Sequence, residues 1–371
     1  MSETQKHTKP NVPNLRFPGF EGEWESRKIG EDCSVLMCKR IFAHQTSEQG
    51  DVPFYKIGTI GAEPDAYISR ELFEDYKAKY NYPREGEVMV TCAGTVGKTI
   101  VFNGDDSYYQ DSNIVWLSNP KQLYLNSFLN YYLSRVNWNK LNSTTITRIY
   151  NDNLRELIIK YPSVEEQEKI VSLLSLLDQR IAVQNKVIEK YESLIKALAY
   201  ENIGKHTTNK TLSECVRCSS STIKESDLLD GGTVPTYGAS GISGYMDNAL
   251  SENDSILITK DGSGVGYLRY VRGPHSFVGT LNSMTPNEGV YLPYIYYALQ
   301  NVCFESYRTG QAIPHIYFKD YGKEAIYCPS FDEQKRLAKG LKMIDSKVEI
   351  ERAVLQYLHS AKAYLLSAMF I

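Results

Sequence analysis

The sequence predicts a mixed α/β (α+β) chain in which two globular units of strands and helices alternate with two long helices. The helices are expected to pair as an antiparallel coiled coil, giving the chain pseudo-twofold symmetry. Three observations predict this: a gapless internal repeat, an apolar four–three spacing inside each copy, and fainter repeats between the copies. "YPSVEEQEKIVSLLSLLDQRIAVQNKVIEKYESLIKAL", from Tyr161, aligns with "CPSFDEQKRLAKGLKMIDSKVEIERAVLQYLHSAKAYL", from Cys328, at an offset of 167 residues. Pro162 matches Pro329, Ser163 matches Ser330, Glu166 matches Glu333, Gln167 matches Gln334, Asp178 matches Asp345 and Val187 matches Val354. Self-similarity at a fixed offset marks a duplicated architecture.

Residues 1–20 form a polar tail, "MSETQKHTKPNVPN" and onward, without the apolar stretch of a signal peptide or anchor. A first unit is expected over 21–160. Its segment "VMVTCAGTVGKTIVF", Val88 to Phe102, ends in Gly97-Lys98-Thr99 and so resembles part of a phosphate-binding loop. The first glycine of such a loop would fall at Cys92, and "TIVFN" after Lys98 reads as a strand where a helix is required. A glycine-turned β-hairpin is the better reading. "RELFEDYKAKY" has a helical pattern, and "SFLNYYL" at Ser127 reads as a short helix.

The central long helix spans 161–204. Ser163 is its N-cap, acids fill its first turn, and Gly204 is a plausible stop. Its apolar residues recur in steps of four and three at Ile170, Leu174, Leu177 and Ile181, then Ile188, Tyr191, Ile195 and Leu198. A second unit follows over 205–327, where "ILITKDGSGVGYL" at Ile256 repeats the hairpin and "PYIYYAL" at Pro293 repeats the short helix. "IPHIYFKDY" at Ile313 repeats "ITRIYNDNL" at Ile146. This hairpin has one more turn residue and Tyr267-Leu268 in place of Lys98-Thr99, so the shared feature is the turn and not phosphate binding. The second long helix, 328–371, carries the matching seam at Leu337, Leu341, Ile344, Val348, Leu355, Leu358 and Leu365. Both seams break at their midpoints, at Gln184 and Glu351, which are expected to meet at the crossing. Lys362 stands opposite Ile195 in the alignment, so the end of the second seam is expected to fray.

Composition sets bounds. Hydrophobic content of 42% and charged content of 23% describe a globular chain. Seven cysteines without an export signal read as reduced thiols of a cytoplasmic protein, and no apolar run is long enough to span a membrane. The net charge of −3 means that nucleic-acid binding, if present, draws much of its affinity from a partner. The 28 tyrosines suit either recognition surfaces or a half-exposed β core. Cys33 with Cys38 and Cys215 with Cys218 could supply four zinc ligands. They fall in separate units with no histidine pair beside them, so buried thiols are preferred and no metal is assigned.

The doubled helix opening Pro-Ser-x-[Glu/Asp]-Glu-Gln, the lead-in "VPNLRFPGFEGEWESRKIGE" and the run "VPTYGASGISGYMDN" resemble the specificity subunit of Type I restriction–modification systems. The resemblance implies two target-recognition domains, each reading half of a bipartite DNA site. It implies paired helices that set the spacer and dock two methyltransferase subunits, with endonuclease subunits as optional further partners. It implies no cofactor in this chain, S-adenosylmethionine residing on the methyltransferase. In keeping with this, the chain has no Pro-Pro dipeptide and so no motif for holding a flipped adenine. A nuclease built from Asp65, Asp75 and Lys77 would need strands where the pattern is helical. The competing readings are a scaffold joining two protein-binding domains, and an enzyme using Lys98 on a nucleotide. Candidate DNA contacts are Lys98, Lys140, Arg148 and Tyr150 in the first unit, and Tyr237, Ser240, Lys260, Arg308, Gln311 and His315 in the second. They lie in polar glycine-rich turns or in loops that recur in both halves.

Overall fold

The computed structural model describes residues 11–138, 148–229, 231–310 and 313–371. It divides into two compact units, Met1–Ala182 with Gln356–Ile371, and Val183–Leu355. The first contains β1 (Glu25–Lys28), α1 (Ile29–Asp32), β2 (Ser34–Leu36), β3 (Val52–Tyr55), β4 (Tyr67–Ile68), α2 (Arg70–Lys79), β5 (Val88–Thr91), β6 (Thr99–Val101), β7 (Tyr108–Tyr109), β8 (Ile114–Ser118), α3 (Asn126–Ser134), α4 (Asn151–Glu156), β9 (Ile158–Tyr161) and the first half of α5 (Val164–Ala199). The second contains β10 (Lys210–Thr211), α6 (Leu212–Cys215), β11 (Val216–Ser220), β12 (Val234–Gly238), β13 (Gly241–Met246), β14 (Ser255–Thr259), β15 (Leu268–Val271), β16 (Ser276–Phe277), β17 (Leu281–Pro286), α7 (Leu292–Ala298), α8 (Phe318–Tyr321), β18 (Ala325–Ile326) and most of α9 (Phe331–Met369).

The topology is written twice. Sheets ordered β2-β8-β5-β6, β4-β3-β7 and β1-β9 in the first unit recur as β11-β17-β14-β15, β13-β12-β16 and β10-β18 in the second. The parallel pair β3–β7 recurs as β12–β16. Of the α-helices, only α2 lacks a counterpart among the described residues.

Burial on both faces explains the unbroken apolar runs 88–90 of β5 and 114–117 of β8. Val88, Val90, Val115 and Leu117 pack with α3 and with Ile170 and Leu174 of α5. The alternate residues Met89, Ile114 and Trp116 face a second core with Phe54, Phe73 and Tyr108. Many tyrosines are core residues: Tyr108, Tyr124, Tyr294, Tyr297 and Tyr321 are at most 2% exposed. Cys33 and Cys38 belong to different cores, and burial pushes both thiols up to about 12, so neither is a ready thiolate. The segment read as helical at residue 70 is α2, where Asp75 pairs with Lys79 at 2.5 Å and Lys77 with Asp106 at 3.2 Å.

Each unit shows α5 and α9 running antiparallel. In the first, Ile170 and Leu174 share a core with Leu365 and Met369, and Leu177 is half-buried. In the second, Ile188 and Ile195 share a core with Leu337, Leu341, Ile344, Val348 and Leu355. Ile181 is buried as well. At the polar break of the seam the buried Gln184 amide donates to the Glu351 backbone carbonyl at 3.0 Å and to its carboxylate. The far end does not fray, contrary to the expectation from Lys362. α9 continues to Met369, and the Lys362 ammonium pairs with Asp178 of α5 at 2.5 Å and lies 5.5 Å from the Tyr131 ring. A cation is tolerated in the seam because the opposing helix supplies its counter-charge.

The Glu-Gln of the helix openings acquires a role. Gln167 is fully buried; its amide oxygen accepts from Leu125 N–H at 2.8 Å, and its nitrogen donates to the Leu123 and Pro162 carbonyls, each at 3.0 Å. Gln334 does the same with Tyr291 N–H at 2.8 Å and the Pro329 carbonyl at 2.8 Å. One amide thus staples the start of a long helix to the loop before α3 or α7. Removing it strands backbone groups in a buried site. Gln167→Ala and Gln334→Ala are each expected to cost about 2–3 kcal/mol, read by chemical denaturation. An unchanged midpoint would contradict the staple.

Candidate nucleic-acid interface

The β5–β6 turn settles the phosphate-loop question by geometry. Val96 N–H donates to Gly94 O at 3.0 Å, Gly97 N–H to Thr91 O at 2.8 Å, and Lys98 N–H to Thr91 Oγ1 at 3.0 Å. Amides that would surround a phosphate are already engaged, and strand β6 follows where a phosphate loop has a helix. Gly97 has φ +80°, and a Cβ there would lie 2.0 Å from Trp138 Cδ1. Gly266, at φ +86°, is likewise covered by Phe304, with 2.6 Å to its Cβ. The glycines let an aromatic ring close over each hairpin.

Three loops meet at the same corner of both four-stranded sheets. In the first unit, Cys92 N–H donates to Asn113 O at 2.8 Å and Cys92 O accepts from Ile149 N–H at 2.9 Å. In the second, Lys260 N–H donates to Thr280 O and Lys260 O accepts from Ile316 N–H, both at 2.9 Å. One residue therefore bridges the β7–β8 or β16–β17 turn to the segment leading into α4 or α8. The frame is shared and its side chains differ. Lys260 stands where the first unit has Cys92, whose thiol burial pushes up to about 11.

Several of the predicted residues fall around these corners. Arg148 donates to Ser112 O at 3.4 Å and to Ser112 Oγ at 3.3 Å, and its guanidinium lies 5.9 Å from the Tyr150 ring. Tyr150 is 63% exposed. Lys98 is exposed, and its ammonium donates to Ile60 O at 2.6 Å. At the positions of Arg148 and Tyr150, the second unit has His315 and Tyr317. His315 Nδ1 meets the Asp261 carboxylate at 2.8 Å, so Nδ1 donates and Nε2 faces away from that carboxylate. Tyr317, 49% exposed, stacks on the His315 ring at 6.4 Å and lies under Lys319 at 5.3 Å. The Lys260 ammonium is 3.9 Å from Asp261.

Tyr237 and Ser240 lie elsewhere on the second unit, at the β12–β13 hairpin, with Ser240 exposed. Arg308 pairs with Glu305 at 2.5 Å on the chain leading to the corner. Lys140 and Gln311 lie outside the described residues. The corners can offer cations, hydroxyls and exposed aromatic faces to a polyanion carrying flat bases. Ser112, Asp261 and Lys319 were not read from the sequence, since each is marked only by contacts made across the fold.

Sequence reading also passed over the outer face of α9. Met343, Ile350, Tyr357 and Tyr364 are 69%, 56%, 74% and 65% exposed and recur every seven residues. Ser346, Ala353, Ser360 and Ser367 fall between them, so large and small side chains alternate in four–three steps. This is a second, largely exposed seam; its signal was present as a second four–three register.

Exposure separates function from folding here. Tyr150→Ala and Tyr317→Ala should each shift stability by less than about 0.5 kcal/mol; a larger loss in thermal unfolding would make these rings structural.

Comparison with known proteins bears on the chain as a whole. A family model described as the Type I restriction modification DNA specificity domain matches twice, over residues 21–193 and 208–359. A putative type I restriction enzyme specificity subunit of Haemophilus influenzae is 49% identical over 147 residues, 40% of this chain; the match spans 38% of that relative's length. The putative type I restriction enzyme MjaX specificity subunit of Methanocaldococcus jannaschii is 23% identical over 98% of this chain and 97% of its own. The crystal structure of a Type-I restriction-modification system S subunit from M. genitalium superposes with a TM-score of 0.59 at 22% identity, over 97% of this chain and 99% of that one, showing a common fold.

Proposed function

Because the chain belongs to the Type I restriction–modification DNA specificity family, we propose that it is a recognition subunit without catalysis of its own. Each unit reads one half of a bipartite duplex site, and the long helices set the spacer and dock two methyltransferase subunits. S-adenosylmethionine, and any cleavage by endonuclease subunits, belong to the partners, and the assembly works in the cytoplasm. The observation that carries this reading is the duplicated corner: one backbone frame, used twice, presenting Arg148 and Tyr150 in one unit and His315 and Tyr317 in the other. A common frame with different side chains is what reading two different half-sites requires.

Two further observations support the division of labour. Helices of 36 and 39 residues are about 54 and 58 Å long at 1.5 Å per residue, longer than one ~34 Å turn of duplex. The outer seam of α9 suits a partner helix, since alternating large and small residues accept knobs from a second coiled-coil strand. In recognition, the Arg148 guanidinium, oriented by Ser112 and Tyr150, donates to base edges or phosphates of one half-site. Asp261 holds the His315 ring so that Nε2 meets the other half-site. Tyr150 and Tyr317 flank these groups with rigid aromatic area.

The test is target selection by the chain co-expressed with its methyltransferase, from duplexes randomised across both half-sites. Arg148→Ala should relax one half-site and His315→Ala the other, each by about 5- to 150-fold at the affected position, with partner binding kept. Unchanged selection in both variants would remove these residues from the interface. Ile350→Glu with Tyr357→Glu should abolish co-purification with the methyltransferase at unchanged helical content; undiminished co-purification would place docking elsewhere. A wild-type complex without sequence preference would favour the protein-scaffold reading.

A further inference from the structure

One strand position breaks the apolar pattern in a single unit. In the first unit Ile100 pairs with Met89 and packs on the inter-sheet core of Met89, Ile114 and Trp116. In the second, the corresponding residue is Arg269, opposite Leu257 on β14. The inter-sheet core there is Leu257, Val271, Phe277 and Leu281, so local pattern requires an apolar side chain at 269 as well. Positions that violate a local rule within an otherwise consistent fold concentrate at functional sites.

The surroundings of Arg269 are those of a presented guanidinium. Its central carbon lies 5.6 Å from the ring centroids of both Tyr237 and Tyr267. Contact of the cation with two ring faces holds the group without engaging its five N–H donors. Among the described residues it has no hydrogen-bond or ion-pair partner. Beside it the β12–β13 turn, residues 238–241, is Gly-Ala-Ser-Gly, and Gly238 and Ala239 line a narrow cleft with Tyr267 and Arg269. Ala239, Ser240 and Tyr267 around it are exposed to solvent. The first unit offers no equivalent, because Ile100 is apolar and the Lys98 ammonium is engaged by Ile60 O.

We propose that Arg269 reads a guanine in the half-site recognised by the second unit, donating two parallel hydrogen bonds to O6 and N7 in the major groove. Tyr237 and Tyr267 act as positioning residues. This rests on the reading of the chain as a DNA-recognition subunit.

The complex with methyltransferase, presented with randomised duplexes, tests it. If the wild-type complex selects no bipartite motif, the recognition reading itself fails. If it does, Arg269→Ala should lose an approximately 5- to 150-fold preference for G·C at one position of one half-site, with the other half-site unchanged. Arg269→Lys should keep overall affinity better than its guanine preference, since an ammonium cannot make the paired contact. Replacing that guanine by 7-deazaguanine, which lacks the N7 acceptor, should weaken the wild-type complex and leave Arg269→Ala unaffected. A uniform loss across sequences with a shallower salt dependence would make Arg269 a phosphate contact and overturn the proposal, as would an unchanged motif. If Arg269→Ala fails to fold, the 7-deazaguanine response of the wild-type complex decides: full insensitivity at every guanine of that half-site refutes the assignment.

Discussion

The antiparallel seam between α5 and α9 is the constraint on which the rest of the structure depends. Each helix carries an apolar stripe along the seam, so neither is stable alone at this length without a surface to cover that stripe. The chain supplies that surface from its own second copy. The seam is not uniformly apolar. Gln184 with Glu351, and Lys362 with Asp178, are polar pairings between the helices. Such pairs are costly if mismatched, so a slip of register would leave a buried amide or a half-buried cation without its partner. The seam therefore specifies alignment as well as association.

Each helix is also joined to a globular unit by groups that cannot be left unpaired. Gln167 and Gln334 repeat one bonding pattern at the helix starts, and Tyr131 and Tyr297 donate to Asp178 and Asp345 farther along. Burial holds the Asp345 carboxyl above the usual carboxylate range, while its twin Asp178 has Lys362 as counter-charge. The duplicated scaffold is thus conserved at its joints and free to differ at its loops. Function is assigned to the corner loops and the strand beside them because chemistry changes there, Cys92 to Lys260, Arg148 to His315 and Ile100 to Arg269, while the backbone around them keeps its bonds.

Much of this was legible in the sequence, and for physical reasons. The seam was read from four–three spacing because helix packing imposes a period. The hairpins were read because a positive-φ turn requires glycine, and Gly97 and Gly266 recur in both copies. What could not be read depends on partners distant in sequence. The amide of Gln167 is satisfied by backbone groups some forty residues earlier. Lys362 looked like a defect because Asp178, its counter-charge, lies 184 residues away. The same limit applies at the corners: Arg148 and His315 were chosen as loop residues, but Ser112 and Asp261, which orient them, carry no local signal. Arg269 was missed because "YLRYVR" reads as an ordinary half-exposed strand until the sheet covering it is known.

The most direct test of the account is to map methylated adenines across the genome of a cell expressing this chain with its methyltransferase. A duplicated reader joined by matched helices predicts one motif made of two unlike half-sites, separated by an unread gap of constant length. A single contiguous motif, or two half-sites whose spacing varies freely, would contradict it.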